Sequence, residues 1–285
     1  MNNYAERHSN DKIAIRFDGV SFSYGEAQVL ENASFHIHKG EFVGMVGPNG
    51  AGKTTVLKLL LGLEKPDAGN ITLFGFPMAK AADNFRSRIG FVPQQLPADQ
   101  AFPITVRDLV RMGLLRPLKG YNRGNFALPF DRARQGDAVD NKNAFGEKDA
   151  VVKAMELAGI TDLSQQRYGS LSGGQKRRAL VARALVCQPD ILILDEPTAN
   201  MDQVSETRLF ETLGALKGAT TILIVTHDSG FVSSLTDRVL CLGGSGKGIV
   251  QHRTEAVDTK GHSGASSQIA RVLHAENIPA DDCCW

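Results

Sequence analysis

The chain has 285 residues, a formal net charge of +1, a hydrophobic content of 42% and a charged content of 22%. That length and balance fit one large globular domain, or a domain carrying a subdomain, and the near-neutral charge gives no global reason for nucleic acid or an anionic membrane as partner. No apolar run approaches the roughly 18 residues that a spanning helix needs, so a role at a membrane requires another polypeptide to supply the spans.

Residues 1–10 are polar with charges of both signs, unlike a secretion signal. Over residues 13–42, Val20, Phe22 and Tyr24 alternate with polar or small residues, and Phe35 and Ile37 repeat that rhythm, which predicts short strands. Phe42–Val46 is a compact apolar run leading into glycines, and residues 54–63 read as a helix with Val56, Leu57, Leu60 and Leu61 on its apolar face. Lys65-Pro66-Asp67-Ala68-Gly69 is a turn cluster, after which strand signals return at residues 71–74 and Ile89–Val92. Between about residues 105 and 184 the period is mainly helical, marking an inserted helical subdomain. Its middle, residues 116–146, is rich in Gly, Asn, Arg and Asp without a period and is expected to form a long surface loop. Strands at residues 191–194 and 221–225, each followed by a helix, close the core. Strands alternating with helices predict an α/β fold whose mostly parallel sheet has helices on both faces. From residue 243 the chain is polar and glycine-rich apart from Ile269, Val272 and Leu273. Cys187, Cys241, Cys283 and Cys284 are too few and too irregular for a disulfide framework, which favours a reducing cytoplasm.

The strongest motif is Gly47-Pro48-Asn49-Gly50-Ala51-Gly52-Lys53-Thr54, which satisfies G-x-x-x-x-G-K-[ST] between an expected strand and an expected helix. Its glycines let backbone N–H groups turn around phosphates, and the helix start adds partial positive charge. Lys53 is placed to reach the β- and γ-phosphates of ATP, and the Thr54 hydroxyl to ligate Mg²⁺. The second half of such a site is Ile191-Leu192-Ile193-Leu194-Asp195-Glu196, a buried strand ending in two carboxylates: Asp195 for Mg²⁺, Glu196 as general base toward the attacking water. Leu171-Ser172-Gly173-Gly174-Gln175 opens another helix with a hydroxyl and bare amides. One phosphate cradle is already complete, so this second anion-binding start makes most sense against the ATP of another copy.

With these elements in this order, residues 13–243 resemble an ABC transporter ATPase subunit. The resemblance implies a P-loop NTPase core with a small antiparallel β subdomain and an inserted helical subdomain. The domain would span residues 11–245, its helical subdomain about 95–186, followed by a polar, partly disordered tail over 246–285. Thr55 joins the nucleotide-binding set by the same resemblance. Tyr24 resembles the aromatic that stacks on adenine. Gln94, in Phe91-Val92-Pro93-Gln94, resembles the glutamine that senses Mg²⁺ and water. Asp202 resembles the aspartate that crosses the dimer interface, and His227 the switch histidine that contacts the γ-phosphate. The family reading further implies a homodimer, integral membrane permease subunits, an extracytoplasmic substrate-binding protein, no nucleic acid, and a peripheral place on the cytoplasmic face of the cell (inner) membrane.

Residues 102–113, Phe-Pro-Ile-Thr-Val-Arg-Asp-Leu-Val-Arg-Met-Gly, resemble the matching stretch of metal-type importers for zinc, manganese or iron. Read physically, Thr105 is an N-cap before an amphipathic helix start that any ABC subunit could use. The chain departs from the metal type at Asn200, where a glycine is frequent. The tail residues His252, His262, His274, Cys283 and Cys284 lack the spacing of a defined metal site. An ABC ATPase for another cargo, or a soluble ABC ATPase outside transport, is the alternative.

Overall fold

The computed structural model describes residues 12–78, 88–94, 103–115, 143–199, 201–226, 235–243, 249–257 and 269–273. Two compact units result: residues 98–188 form one, and residues 1–97 with 189–285 the other.

The larger unit holds two sheets. Strands β1 (Ile13–Tyr24), β2 (Ala27–His38), β4 (Ala68–Leu73) and β5 (Phe76–Pro77) form a four-stranded antiparallel sheet in the order β2-β1-β4-β5. Alternation explains which face is inside: Ile15, Phe17, Phe35, Ile37, Ile71 and Leu73 are buried, and Phe17 stacks on Phe35 with ring centroids 4.4 Å apart. The short strands expected over residues 13–42 are in fact two strands of 12 residues each, joined at a turn and carrying register shifts that absorb the polar interruptions.

The seven-stranded sheet runs from Ile269–Leu273 (β11) and Ile249–Val257 (β10) through Arg238–Leu242 (β9), Phe42–Val46 (β3), Thr221–Thr226 (β8) and Ile191–Asp195 (β7) to Ile89–Val92 (β6). Its centre is β3 (Phe42–Val46), β8 (Thr221–Thr226) and β7 (Ile191–Asp195), flanked by β6 (Ile89–Val92) and β9 (Arg238–Leu242), all parallel. Strands β3, β8 and β7 are buried along nearly their whole length, as expected of near-continuous apolar runs covered on both faces. Helices α1 (Lys53–Leu60) and α5 (Gln203–Leu216) belong to this unit; α1 buries Val56, Leu57, Leu59 and Leu60, while Leu61 is its half-buried C-cap. Arg238 ties the two sheets together: its guanidinium grips Glu41 at 2.9 Å through each carboxylate oxygen and also donates to the His36 carbonyl of β2.

Within the segment expected as a polar tail, residues Ile249–Val257 (β10) and Ile269–Leu273 (β11) are strands, added antiparallel beyond β9. Pairing to a sheet edge supplies what the local pattern lacks, because each new strand satisfies its backbone against β9 or its neighbour. His252 lies in β10; His262, His274, Cys283 and Cys284 fall outside the described residues. Cys187 and Cys241 stand outside any disulfide.

The smaller unit packs α2 (Val106–Arg111), α3 (Asn143–Leu157) and α4 (Gly173–Leu185) against one another. Thr105 caps α2 by accepting from the Asp108 N–H at 3.1 Å. Most of the loop expected at 116–146 lies outside the described residues, but its last positions, from residue 143, already belong to α3. No helix among the described residues is long and apolar enough to cross a membrane.

Candidate functional site

Because β3, β8, β7 and β6 are neighbours and parallel, their C-terminal ends share one edge of the sheet. Asp195 pairs with Val225, Val46 with Thr226, and Val92 with Leu194. The glycine-rich loop leaves β3 at Gly47, Glu196 follows β7, and Gln94 stands exposed two residues beyond β6. Loop and carboxylates are thus separated by a single strand, about 10 Å at ordinary strand spacing. A crevice outside the carboxyl ends of parallel strands is where open α/β sheets take their ligands. His227 follows Thr226 in the chain and lies outside the described residues.

The loop is built for close backbone approach. A Cβ at Gly47 would meet the Leu242 carbonyl oxygen at 2.6 Å, so no larger residue fits there. Gly50 and Gly52 have φ of 86° and 92°, the left-handed region that favours glycine. Helix α1 begins with no side-chain cap and no acidic residue in its first turn, which leaves its first N–H groups to an external anion. Lys53 is 8% exposed and donates from Nζ to the Gly47 and Pro48 carbonyls at 2.5 and 3.0 Å. Its ammonium is therefore held across the loop. Pro48, Asn49 and Gly50 are exposed, Ala51 and Gly52 are buried, and Thr54 is exposed beside the buried Thr55.

At the end of β7, Asp195 is half-buried and Glu196 is 8% exposed. Glu196 has φ 45°, unusual for a residue with a side chain. Its N–H donates to Val225 O at 2.8 Å, and the Thr226 hydroxyl donates to Glu196 Oε2 at 3.3 Å. Sequence reasoning passes over Thr226; its only signal is adjacency to His227.

Tyr24 ends β1 with 43% of its surface exposed, an uncommon position for a large ring. It packs edge-on against Phe22, centroids 4.8 Å apart, and receives a hydrogen bond from Lys58 Nζ at 3.1 Å. The same contact raises the Lys58 pKa above the ordinary lysine value. Lys58 belongs to α1, the helix that Lys53 begins, and sequence reasoning misses it as well.

Ser172 and Gln175 lie in the smaller unit. They form a reciprocal capping box at the start of α4: Gln175 N donates to Ser172 Oγ at 3.3 Å, and Ser172 N to Gln175 Oε1 at 2.9 Å. Ser172 and Gly173 are exposed, Gly174 is buried and Gln175 is half-buried. Asp202 is the N-cap of α5, accepting from Ser205 N at 2.9 Å and from Ser205 Oγ at 2.8 Å. The Ser205 backbone N–H, followed by its hydroxyl, holds the Asp202 carboxyl below the usual aspartate range. In the single chain both motifs serve their own helices.

The donors available for a cation are oxygens: the exposed Thr54 hydroxyl at the first turn of α1 and the Asp195 carboxylate at the end of β7. Such a set suits a hard ion such as Mg²⁺ that keeps part of its water shell. Among the described residues no cluster of three or more His, Cys, Asp or Glu side chains is arranged for a transition metal.

Residues 30–199 match the family described as ABC transporter. The chain is 37% identical over 231 residues to the zinc uptake system ATP-binding protein ZurA of Listeria innocua, covering 80% of this chain and 82% of that protein. It is 38% identical over 252 residues to the Nod factor export ATP-binding protein I of Paraburkholderia xenovorans, covering 86% of this chain and 73% of that protein. Among solved structures, it resembles cbiO1 from Clostridium perfringens, part of the ABC transporter complex cbiONQ. The TM-score is 0.66 with 29% identity, over 84% of this chain and 88% of that one.

Proposed function

The chain belongs to the ABC transporter family as an ATP-binding, ATP-hydrolysing subunit, and on that premise we propose that it powers uptake of a transition-metal ion through a separate membrane permease. The observation that carries the catalytic part is the shared sheet edge, where the glycine-rich loop after β3 and the carboxylates after β7 flank β8. The relation to the zinc uptake protein of Listeria innocua supports the cargo class.

In this reading Tyr24 stacks on the adenine, the amides of residues 47–54 with Thr55 hold the phosphate chain, and Lys53 exchanges its loop carbonyls for β- and γ-phosphate oxygens. Thr54, Asp195 and Gln94 would hold Mg²⁺, which supplies neutralisation of phosphate charge. Glu196 accepts a proton from the water that attacks the γ-phosphorus in line, and His227 stabilises the charge that develops there. Ser172, Gly173, Gly174 and Gln175 face the nucleotide of a second copy, with Asp202 crossing between the two. Two nucleotides then join two chains head to tail, and hydrolysis releases them. The motion passes to permease subunits, with an extracytoplasmic binding protein delivering cargo and the ATPase peripheral on the cytoplasmic face.

The test is uptake of zinc, manganese and iron in a null strain carrying either wild type or Glu196→Gln. Loss of one metal's uptake in the variant alone is the expected result and names the cargo. Unchanged uptake of all three overturns the metal reading. The similarity to a Nod factor exporter favours a second reading, the same engine on a different cargo, and that outcome would leave it standing.

A further inference from the structure

A general base works only if its carboxylate is aimed, and a glutamate has three side-chain torsions to lose before it is aimed at anything. Two consecutive residues of β8 supply the restraint. Val225 takes the Glu196 N–H at 2.8 Å, fixing the backbone where φ is 45°. The Thr226 hydroxyl donates a hydrogen bond to Glu196 Oε2 at 3.3 Å, with both side chains buried, Thr226 1% and Glu196 8% exposed.

From this geometry we propose that Thr226 is the positioning residue for Glu196. The proposal rests on the reading of Glu196 as general base. Thr226 is well suited to the task. Its β-branched side chain has few rotamers, and it sits in a strand paired on its other side with Val46, so its own backbone cannot drift. At 3.3 Å the contact is longer than an ordinary O–H···O bond, so it directs the carboxylate more than it binds it.

The experiment compares steady-state ATP hydrolysis by the full-length chain as wild type, Thr226→Val, Thr226→Ser and Glu196→Gln, with nucleotide affinity and melting midpoint measured on each. Valine keeps the shape and removes the donor. It is expected to lower kcat about tenfold or more, the scale of a hydrogen bond to a charged group, while KM for ATP stays within about twofold. Serine should restore most of the loss. Wild-type kcat in Thr226→Val alongside an inactive Glu196→Gln overturns the positioning role and leaves the general base intact. Full turnover in Glu196→Gln overturns both. Should the valine variant fail to fold, Thr226→Ala against Thr226→Ser makes the same comparison, and equal kcat in those two overturns the proposal.

Discussion

Lys58 donates to the Tyr24 hydroxyl at 3.1 Å, so the exposed ring at the end of β1 is tied to the helix that carries Lys53. Stacking needs the ring, whereas the tie needs the hydroxyl. Tyr24→Phe should keep ATP affinity within about twofold, and Tyr24→Ala should weaken it about tenfold, the scale of one aromatic stack. Titration with a fluorescent ATP analogue checks both. Equal losses in the two variants would move the role from the ring to the hydroxyl.

Ser172 has two jobs in the same atoms, since its Oγ caps α4 and, in the proposed dimer, faces a phosphate. Ser172→Ala confounds them, because losing the cap alone costs about 1 kcal/mol. Ser172→Asp separates them. Aspartate caps a helix as well as serine does, but it sets a negative charge against the partner's γ-phosphate. The expected result is a melting midpoint at or above wild type with ATP turnover reduced by about a hundredfold. Wild-type turnover in Ser172→Asp would count against a phosphate facing this residue.

Gly47→Ala places a methyl 2.6 Å from the Leu242 carbonyl oxygen, a backbone atom of β9 that cannot swing away. Overpacking of this kind costs about 1–3 kcal/mol. Denaturant unfolding should show that loss, together with weaker ATP binding, because the loop must shift to make room. Gly50→Ala meets no atom within 4 Å and pays only for its φ of 86°, so it should be the milder change in stability.

Asp202 carries a pH signature. Its carboxyl is held below the usual aspartate range by the Ser205 N–H and hydroxyl, so its stabilising effect is complete above the unfolded value near 3.8. The effect is lost as pH falls through the lower folded value. The gap in unfolding midpoint between wild type and Asp202→Ala should be constant near neutrality and close at pH below about 4. Asp202→Asn keeps one cap acceptor but loses the charge and the second acceptor, so at neutral pH it should fall between wild type and Asp202→Ala. A gap that persists in strong acid would mean the charge is not what stabilises the cap.

Strands β6, β7 and β8 are legible in the chain because each is a short apolar run bounded by residues with obvious chemistry, and Ile89–Val92 has the bounds that its pattern suggests. Strands β1 and β2 are longer than alternation predicts, because pairing carries them through polar positions such as Asp18 and Gly19 by way of register shifts. Strands β10 and β11 are illegible locally, since the edge of β9 rather than their own periodicity makes them strands. The contacts Lys58–Tyr24 and Thr226–Glu196 join residues 34 and 30 positions apart. A pattern read over a few neighbours cannot contain them; they exist only once the sheets have formed.

The left-handed backbone at Glu196 bears on how this protein could be made hardier. A side chain at φ 45° costs about 1–2 kcal/mol that glycine would recover. Asn32, Phe74 and Gln188 share the geometry, and replacement by glycine at those positions relieves the same torsion at no proposed chemical loss. At residue 196 the most stabilising backbone choice removes the carboxylate altogether. If Glu196 is the base as proposed, selection for heat tolerance alone would be drawn toward an inert protein at this one position, and a thermostability screen should hold it constant.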